Sequence, residues 1–238
     1  MKVLVVDDDV VSRMVLMHLV DSCGSYDIVE AADGQDAWEQ LEAGLRPQVL
    51  FCDLRMPRLS GMDLLARVRG DGAFDAMPFI LVTSSTDTAT LDQAAGLGVS
   101  GLIVKPFQAG QVRVHLAAFS DPPAAWAHRA EPPAATMARL RIDARRLLAY
   151  LGGFQVQLTA ASGDIDAMVA RAEMDAARER VERLHAGCIT LGLAGAADAF
   201  DALGPDSHED DRVHLVLADA VRAVLAQASL TRAIQNGH

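Results

Sequence analysis

Short apolar runs alternate with segments of helical period through the first half of the chain. Residues 2–6 (KVLVV), 27–31 (DIVEA), 48–52 (QVLFC), 79–83 (FILVT) and 102–104 (LIV) read as strands. Four of them are almost wholly apolar, the pattern of parallel strands covered by helices on both faces. Between and after them, residues 11–23, 34–43, 61–69, 88–97 and 109–119 have helix length and period. Five βα units predict an α/β domain over residues 1–120, a doubly wound five-stranded parallel sheet whose ligands sit outside the carboxyl ends of the strands.

The second half changes character. Residues 120–138, SDPPAAWAHRAEPPAATMA, hold two Pro-Pro pairs among alanines, so 121–138 reads as an extended Pro/Ala linker. From 139 to 238 no strand pattern occurs, and apolar residues recur at threes and fours. The sharpest stretch is Met174, Ala177, Val181, Leu184, Cys188 and Leu191, which fall on one stripe of a helix ended by Gly192. With helices through Leu147–Ile165, Ala197–Leu203 and Val213–Ala228, this predicts an all-α antiparallel four-helix bundle. Gly152-Gly153 and Ser162-Gly163 mark places where the first of these helices could break, since each glycine costs about 1 kcal/mol there.

Charge and composition narrow the function. The 238 residues carry 21 basic against 32 acidic side chains, a net charge of −11, and residues 120–238 carry 12 against 16, so no nucleic-acid partner is expected. No uninterrupted apolar run reaches the ~20 residues of a bilayer span, and the start MKVLVVDDD lacks the form of a signal peptide. Three scattered cysteines make no disulfide framework, which fits a reducing, cytoplasmic setting without a membrane.

The polar residues at the strand ends carry the chemistry. Asp7, Asp8 and Asp9 follow the first strand, Asp53 the third, Thr83 and Ser84 end the fourth, and Lys105 follows the fifth. Clustered carboxylates repel unless a hard cation separates them, and Mg²⁺ accepts one or two carboxylates, a carbonyl and waters. A carboxylate can also attack a phosphoryl group to give an acyl phosphate, with a lysine and a hydroxyl holding the transferred oxygens. Lys105 is one of only two lysines among the 21 basic residues, a compact ammonium where arginine is otherwise used. Asp9, next to the helix start, reads as an N-cap, Gly34 as a turn glycine of positive φ, and Cys52 as a small buried residue.

These motifs resemble the receiver domain of bacterial response regulators. VLVVDDD carries the acidic pair Asp7 and Asp8. FCDLRMP carries the phosphoacceptor Asp53, followed by Gly61. ILVTSS supplies Thr83, and GLIVKPF supplies Lys105 and a Pro106 whose preceding bond is cis in the family. The resemblance implies a flavodoxin-like fold and a Mg²⁺ cofactor bound by Asp8, Asp53 and the backbone carbonyl of Arg55, with Asp7 acting through water. It further implies Lys105 on the phosphoryl group, and no enzymatic activity beyond Mg-dependent self-phosphorylation and dephosphorylation. Leu102 departs from the family, which usually has an aromatic residue three positions before the lysine.

The segment AEMDAARERVERLHAGCITLGL, 172–193, is similar to the central helix of histidine phosphotransfer (HPt) domains. Aligning Leu191-Gly192-Leu193 puts Glu182 at the phosphoacceptor histidine, His185 at the family's lysine and Ala186 at its glycine. The implied function is a response regulator whose HPt-like bundle lacks the histidine and acts as a protein-interaction output toward a histidine kinase or another two-component protein. Two alternatives are a phosphorelay intermediate using His185 and a phosphorylation-controlled homodimer. The cluster His208–Asp211 with His214 reads as the acidic start of the last helix and not as a metal site.

Overall fold

The computed structural model describes residues 1–84, 90, 93–94, 96–120, 129–203 and 212–236. Most of the helix predicted over 88–97, the Pro-rich stretch 121–128 and the cluster His208–Asp211 lie outside the described residues. The chain divides into two compact units, Met1–Ser120 and Asp121–His238.

The first unit runs β1 (Lys2–Val6), α1 (Val10–Ser22), β2 (Asp27–Ala31), α2 (Gly34–Glu42), β3 (Val49–Asp53), α3 (Gly61–Gly70), β4 (Phe79–Thr83), β5 (Gly101–Val104) and α4 (Ala109–Ser120). All strand pairings are parallel, in the order β2-β1-β3-β4-β5. The alternation of side chains along each strand divides the core in two. Val3, Val5, Val49, Phe51, Ile80 and Val82 face Leu16 and Val20 of α1 and Val112 and Leu116 of α4. Leu4, Val6, Leu50, Cys52, Phe79 and Leu81 face Ala37 and Leu41 of α2 and Leu64, Leu65 and Val68 of α3. A strand that must be apolar on both sides reads as an unbroken apolar run, which is why four of the five are so easily seen in the sequence.

Short polar caps start the helices. Asp9 accepts from the backbone N–H of Val11 at 3.3 Å and Ser12 at 3.1 Å, as its position before α1 predicts. Ser60 does the same for α3 through Asp63 N at 3.2 Å. Chain reversal at β1 and β3, neighbours in space but not in sequence order, opens the crevice into which Asp7, Asp8 and Asp53 emerge.

The second unit contains α5 (Pro133–Leu140), α6 (Ala144–Ala170), α7 (Met174–Thr190), α8 (Ala194–Asp201) and α9 (Arg212–Asn236). α6 packs along both α7 and α9, and α8 against α7. Two features differ from the sequence reading. The second Pro-Pro pair opens α5 in place of extending the linker, because a proline at the first helical position has no N–H to leave unpaired and a φ already suited to the helix. α6 runs unbroken through Gly152-Gly153 and Ser162-Gly163. Burial of Leu147, Leu151, Phe154, Leu158 and Ile165 along one face outweighs the glycine penalty.

Close packing explains Gly187: a Cβ there would lie 2.3 Å from Cε2 of Phe154. His214 of α9 bridges back to α6, with Nδ1 2.9 Å from Ser162 Oγ and Nε2 3.0 Å from Asp166 Oδ1. Ser162 is wholly buried, so this trio is a cross-link between helices and not an accessible nucleophile. α9 is long and apolar enough to cross a membrane on length and composition, and buries Val213, Leu217, Val221 and Val224 in the bundle.

The stretch ahead of α5 is fastened to the α7–α8 turn. Glu131 N donates to Gly192 O at 2.7 Å, Gly195 N donates to Arg129 O at 2.7 Å, and Gln227 Nε2 donates to Glu131 O at 2.8 Å. Gly192 has φ +73°, and a Cβ there would stand 2.7 Å from Glu131 Oε2. Its glycine is required by both the backbone hand and the contact.

Candidate functional site

The carboxyl ends of β1, β3, β4 and β5 bring four of the predicted residues together. Asp7 follows β1 and is buried, Asp53 ends β3 and is nearly so, Thr83 ends β4 and is buried, and Lys105 follows β5. Lys105 Nζ lies 2.6 Å from Asp53 Oδ1 and 2.9 Å from Asp7 Oδ2, one ammonium shared by two carboxylates. The backbone N–H of Lys105 donates to Thr83 O at 2.8 Å, and the Lys105–Pro106 peptide bond is cis. Asp8 is exposed at the same strand end.

The other oxygens are also held. Arg55 N donates to Asp53 Oδ2 at 2.6 Å, and Asp9 N donates to Asp7 Oδ1 at 2.9 Å. Arg13 donates to Asp7 O at 2.6 Å while its Nε pairs with Glu30 at 2.8 Å. Behind Asp53, a Cβ on Gly61 would stand 2.2 Å from the Asp53 carbonyl oxygen, so α3 can begin there only with glycine. Cys52 points to the other face of the sheet, fully buried. Burial, then the charges of Asp53 and Asp7, push its thiol well above the ordinary range, which leaves it inert.

Electrostatics follow from this geometry. Burial raises the Asp53 pKa above the usual carboxylate value, and the negative charge of Asp7 adds to it. Lys105 and the Arg55 N–H only partly offset the rise. Burial opposes the Lys105 ammonium, but its hydrogen bonds to Asp53 and Asp7 prevail and its pKa is raised. The pocket therefore has an excess of negative charge that one lysine does not neutralise.

Among the described residues no three His, Cys, Asp or Glu side chains converge closely enough to form an all-side-chain metal site. Mg²⁺ does not ask for one, since it keeps several waters and takes only one or two carboxylates. Two buried carboxylates facing one point, with Asp8 and the Arg55 backbone at its edge, suit such an ion.

The sequence reading of Gly34 is corrected here. Gly34 does not have a positive φ; it is the first residue of α2, and a Cβ on it would stand 2.4 Å from Leu59 O. The glycine is needed because the loop after β3 passes directly over it. Its neighbour Asp33, which sequence reasoning passed over, caps α2 through Gln35 N at 2.9 Å and Asp36 N at 3.1 Å, and pairs with Arg58 at 2.5 Å. Asp36 accepts from Ala32 N at 2.8 Å, completing a reciprocal cap whose Asp-x-x-Asp spacing is readable in the sequence.

In the helical unit, Glu182 lies exposed on α7. His185 is turned toward α8, its Nε2 buried 3.3 Å from Asp201 Oδ1 without a well-formed hydrogen bond. The two residues are thus on the same helix but present different chemistry, an open carboxylate and a partly exposed imidazole whose Nε2 is covered.

Residues 3–117 match the response regulator receiver domain family. Over 107 residues the chain is 39% identical to the chemotaxis protein CheY1 of Helicobacter pylori, covering 45% of this chain and 86% of that protein. It is 36% identical to a CheY homolog of Campylobacter jejuni, covering 45% and 82%. Similar solved structures include the response regulator CheY4 of Vibrio cholerae, at 29% identity, 47% and 91% coverage and a TM-score of 0.44. A receiver protein from Pseudomonas putida stands at 33%, 47% and 90%, and 0.43. Through its first unit, the chain belongs to the response regulator receiver domain family.

Proposed function

We propose that this protein is a two-component response regulator that accepts a phosphoryl group on Asp53 and reports it through an HPt-like helical bundle, residues 139–238, that has no phosphoacceptor histidine. The observation that carries the first part is the pairing of Lys105 with both Asp53 and Asp7 in a buried crevice. Asp53 is the acceptor because its carboxylate is oriented from two sides, by the ammonium and by the Arg55 N–H. Its oxygen bonds to phosphorus as the bond from phosphorus to the donor imidazole breaks, the electron pair leaving with nitrogen. Lys105 then faces the transferred oxygens, and the Thr83 hydroxyl stands at the end of the neighbouring strand.

Asp8, Asp53 and the Arg55 carbonyl would hold Mg²⁺, with Asp7 acting through water. Bound there, the ion supplies positive charge to the phosphoryl oxygens as the bonds change. No further catalytic activity is assigned to the chain.

His185 Nε2 is buried beside Asp201, which hinders phosphorylation at that nitrogen and supports a binding role for the bundle over a relay role. Exposed Glu182, at the place of the family's histidine, gives that face a fixed carboxylate. The partner we infer is a histidine kinase or another two-component protein, met in the cytoplasm and without nucleic acid.

Phosphotransfer to the full chain from a radiolabelled phosphohistidine donor tests this, with the label mapped to peptides afterward. Base-labile label on the Asp53 peptide, abolished by Asp53→Asn, is expected. Acid-labile label on the peptide containing His185, lost with His185→Ala, would make the protein a relay intermediate instead.

A further inference from the structure

The loop after the phosphoacceptor is pinned to the start of α2 by contacts outside the acid cluster itself. Arg58 sits at its apex with φ +61°, and Leu59 N donates to Pro57 O at 2.7 Å across it, a three-residue turn of the hand that residues other than glycine rarely adopt. Such a backbone persists only where its surroundings over-determine it. Here they do. Arg58 Nε and Nη2 each lie 2.5 Å from Asp33 Oδ2, and Leu59 O packs into the space left by the missing Cβ of Gly34. Asp33 is buried and its other oxygen is committed to capping α2, so the carboxylate cannot turn away. At its far end the loop is fixed by Gly61 N donating to Leu54 O at 3.0 Å.

We propose that Asp33 and Arg58 are positioning residues for the magnesium site, their ion pair holding the loop 54–60 so that the Arg55 carbonyl stays where a metal can use it. This rests on the phosphoacceptor reading above. The link is short, since Arg55 is three residues from Arg58, and its N–H is already bound to Asp53. A ligand carbonyl on an untethered loop must be ordered at the moment of binding, whereas a tethered one is in place beforehand. The pair thereby sets metal affinity without touching the metal.

Magnesium chloride titrated calorimetrically into the full-length protein tests the proposal with two mild variants. Arg58→Gly removes the guanidinium while easing the positive φ, and Asp33→Asn keeps the α2 cap while discarding the charge. Each is expected to weaken Mg²⁺ binding by about tenfold, as the loss of outer partners of metal ligands does. The double variant should be little worse than either single one, and Arg58→Lys should recover part of the loss. Phosphorylation by a small-molecule phosphoryl donor should slow at limiting Mg²⁺ and recover at saturating Mg²⁺. Unchanged Mg²⁺ affinity in both variants, whatever happens to thermal stability, would reduce the pair to a structural tether and overturn the proposal. Asp53→Asn separates the two levels of the argument: Mg²⁺ binding by the wild-type protein that this substitution leaves intact would overturn the site assignment itself.

Discussion

The α-carbon of Gly61 passes so close to Asp53 that a Cβ at 61 would stand 2.2 Å from the Asp53 carbonyl oxygen and 3.1 Å from Leu54 Cα. Backbone, not a flexible side chain, is what it would meet. Gly61→Ala must therefore shift α3 or the end of β3, and with it the acceptor carboxylate. We expect a loss of about 1–3 kcal/mol in urea unfolding, the range for overpacked sites, together with slower phosphorylation. Wild-type stability in this variant would contradict the packing argument.

Lys105 pairs with two carboxylates at once, so its loss should be felt by both. Lys105→Gln keeps a hydrogen-bond donor on a side chain one bond shorter, but removes the ammonium charge that Asp7 and Asp53 share. Removing one charged or polar donor from a developing oxyanion lowers rates by about 10²–10³, and a hundredfold slower phosphorylation of Asp53 is the expected result. Stopped-flow rates with a small-molecule phosphoryl donor at saturating Mg²⁺ would measure it. A rate within threefold of wild type would remove Lys105 from the chemistry.

Much of this site is legible in the sequence because each group sits at the end of an apolar run, where a parallel sheet must deliver it. The strands declare themselves by burial on both faces, and Asp7, Asp8, Asp53, Thr83 and Lys105 are then placed by counting. What escapes is tertiary. Gly34 looks like a turn glycine because nothing local reveals that Leu59, 25 positions later, crosses above it. Asp33 and Arg58 are unremarkable until the loop closes on α2. In the second half, periodicity found four of the five described helices but missed α5, since Pro133 is as compatible with a helix start as with an extended linker, and the glycines of α6 are tolerated only because of the partners it packs against.

His115 offers a pH test. It is fully buried with its ring against Gly101, where a Cβ would come within 2.3 Å of Cε1, and neither ring nitrogen has a well-formed hydrogen bond. Burial pushes its pKa down to about 4, with the Leu102 backbone opposing weakly. Unfolded, the imidazole titrates near 6.5. Between the two values the unfolded chain holds the extra proton, so stability is full above pH 6.5 and declines as pH falls toward 4. At pH 5 this amounts to about 2 kcal/mol at 1.36 kcal/mol per unit. Urea unfolding at pH 7.5 and pH 5 should show His115→Leu losing that much less than wild type. Equal losses would mean that the imidazole is protonated in the folded protein.

The three thiols should react in sequence. Cys23 is half-buried, whereas Cys52 and Cys188 are fully buried, and burial holds the Cys188 thiol up at about 12. An aromatic disulfide reagent at pH 8 is expected to modify Cys23 alone in the native protein and all three in denaturant, as read by peptide mass spectrometry. Native-state modification of Cys188 at the rate of Cys23 would indicate that α7 leaves the bundle readily.

The backbone bonds from Arg129 and Glu131 to Gly195 and Gly192 have a practical bearing on where the helical unit can be cut. Helical periodicity begins at 139, yet a fragment starting there would lose α5, three hydrogen bonds and the side chain that fills the space beside Gly192. The turn so exposed closes α7, the helix that carries Glu182. Excising the bundle for interaction studies therefore calls for a start at or before Arg129, and a shorter fragment that fails to bind a partner would report a frayed turn, not a missing surface.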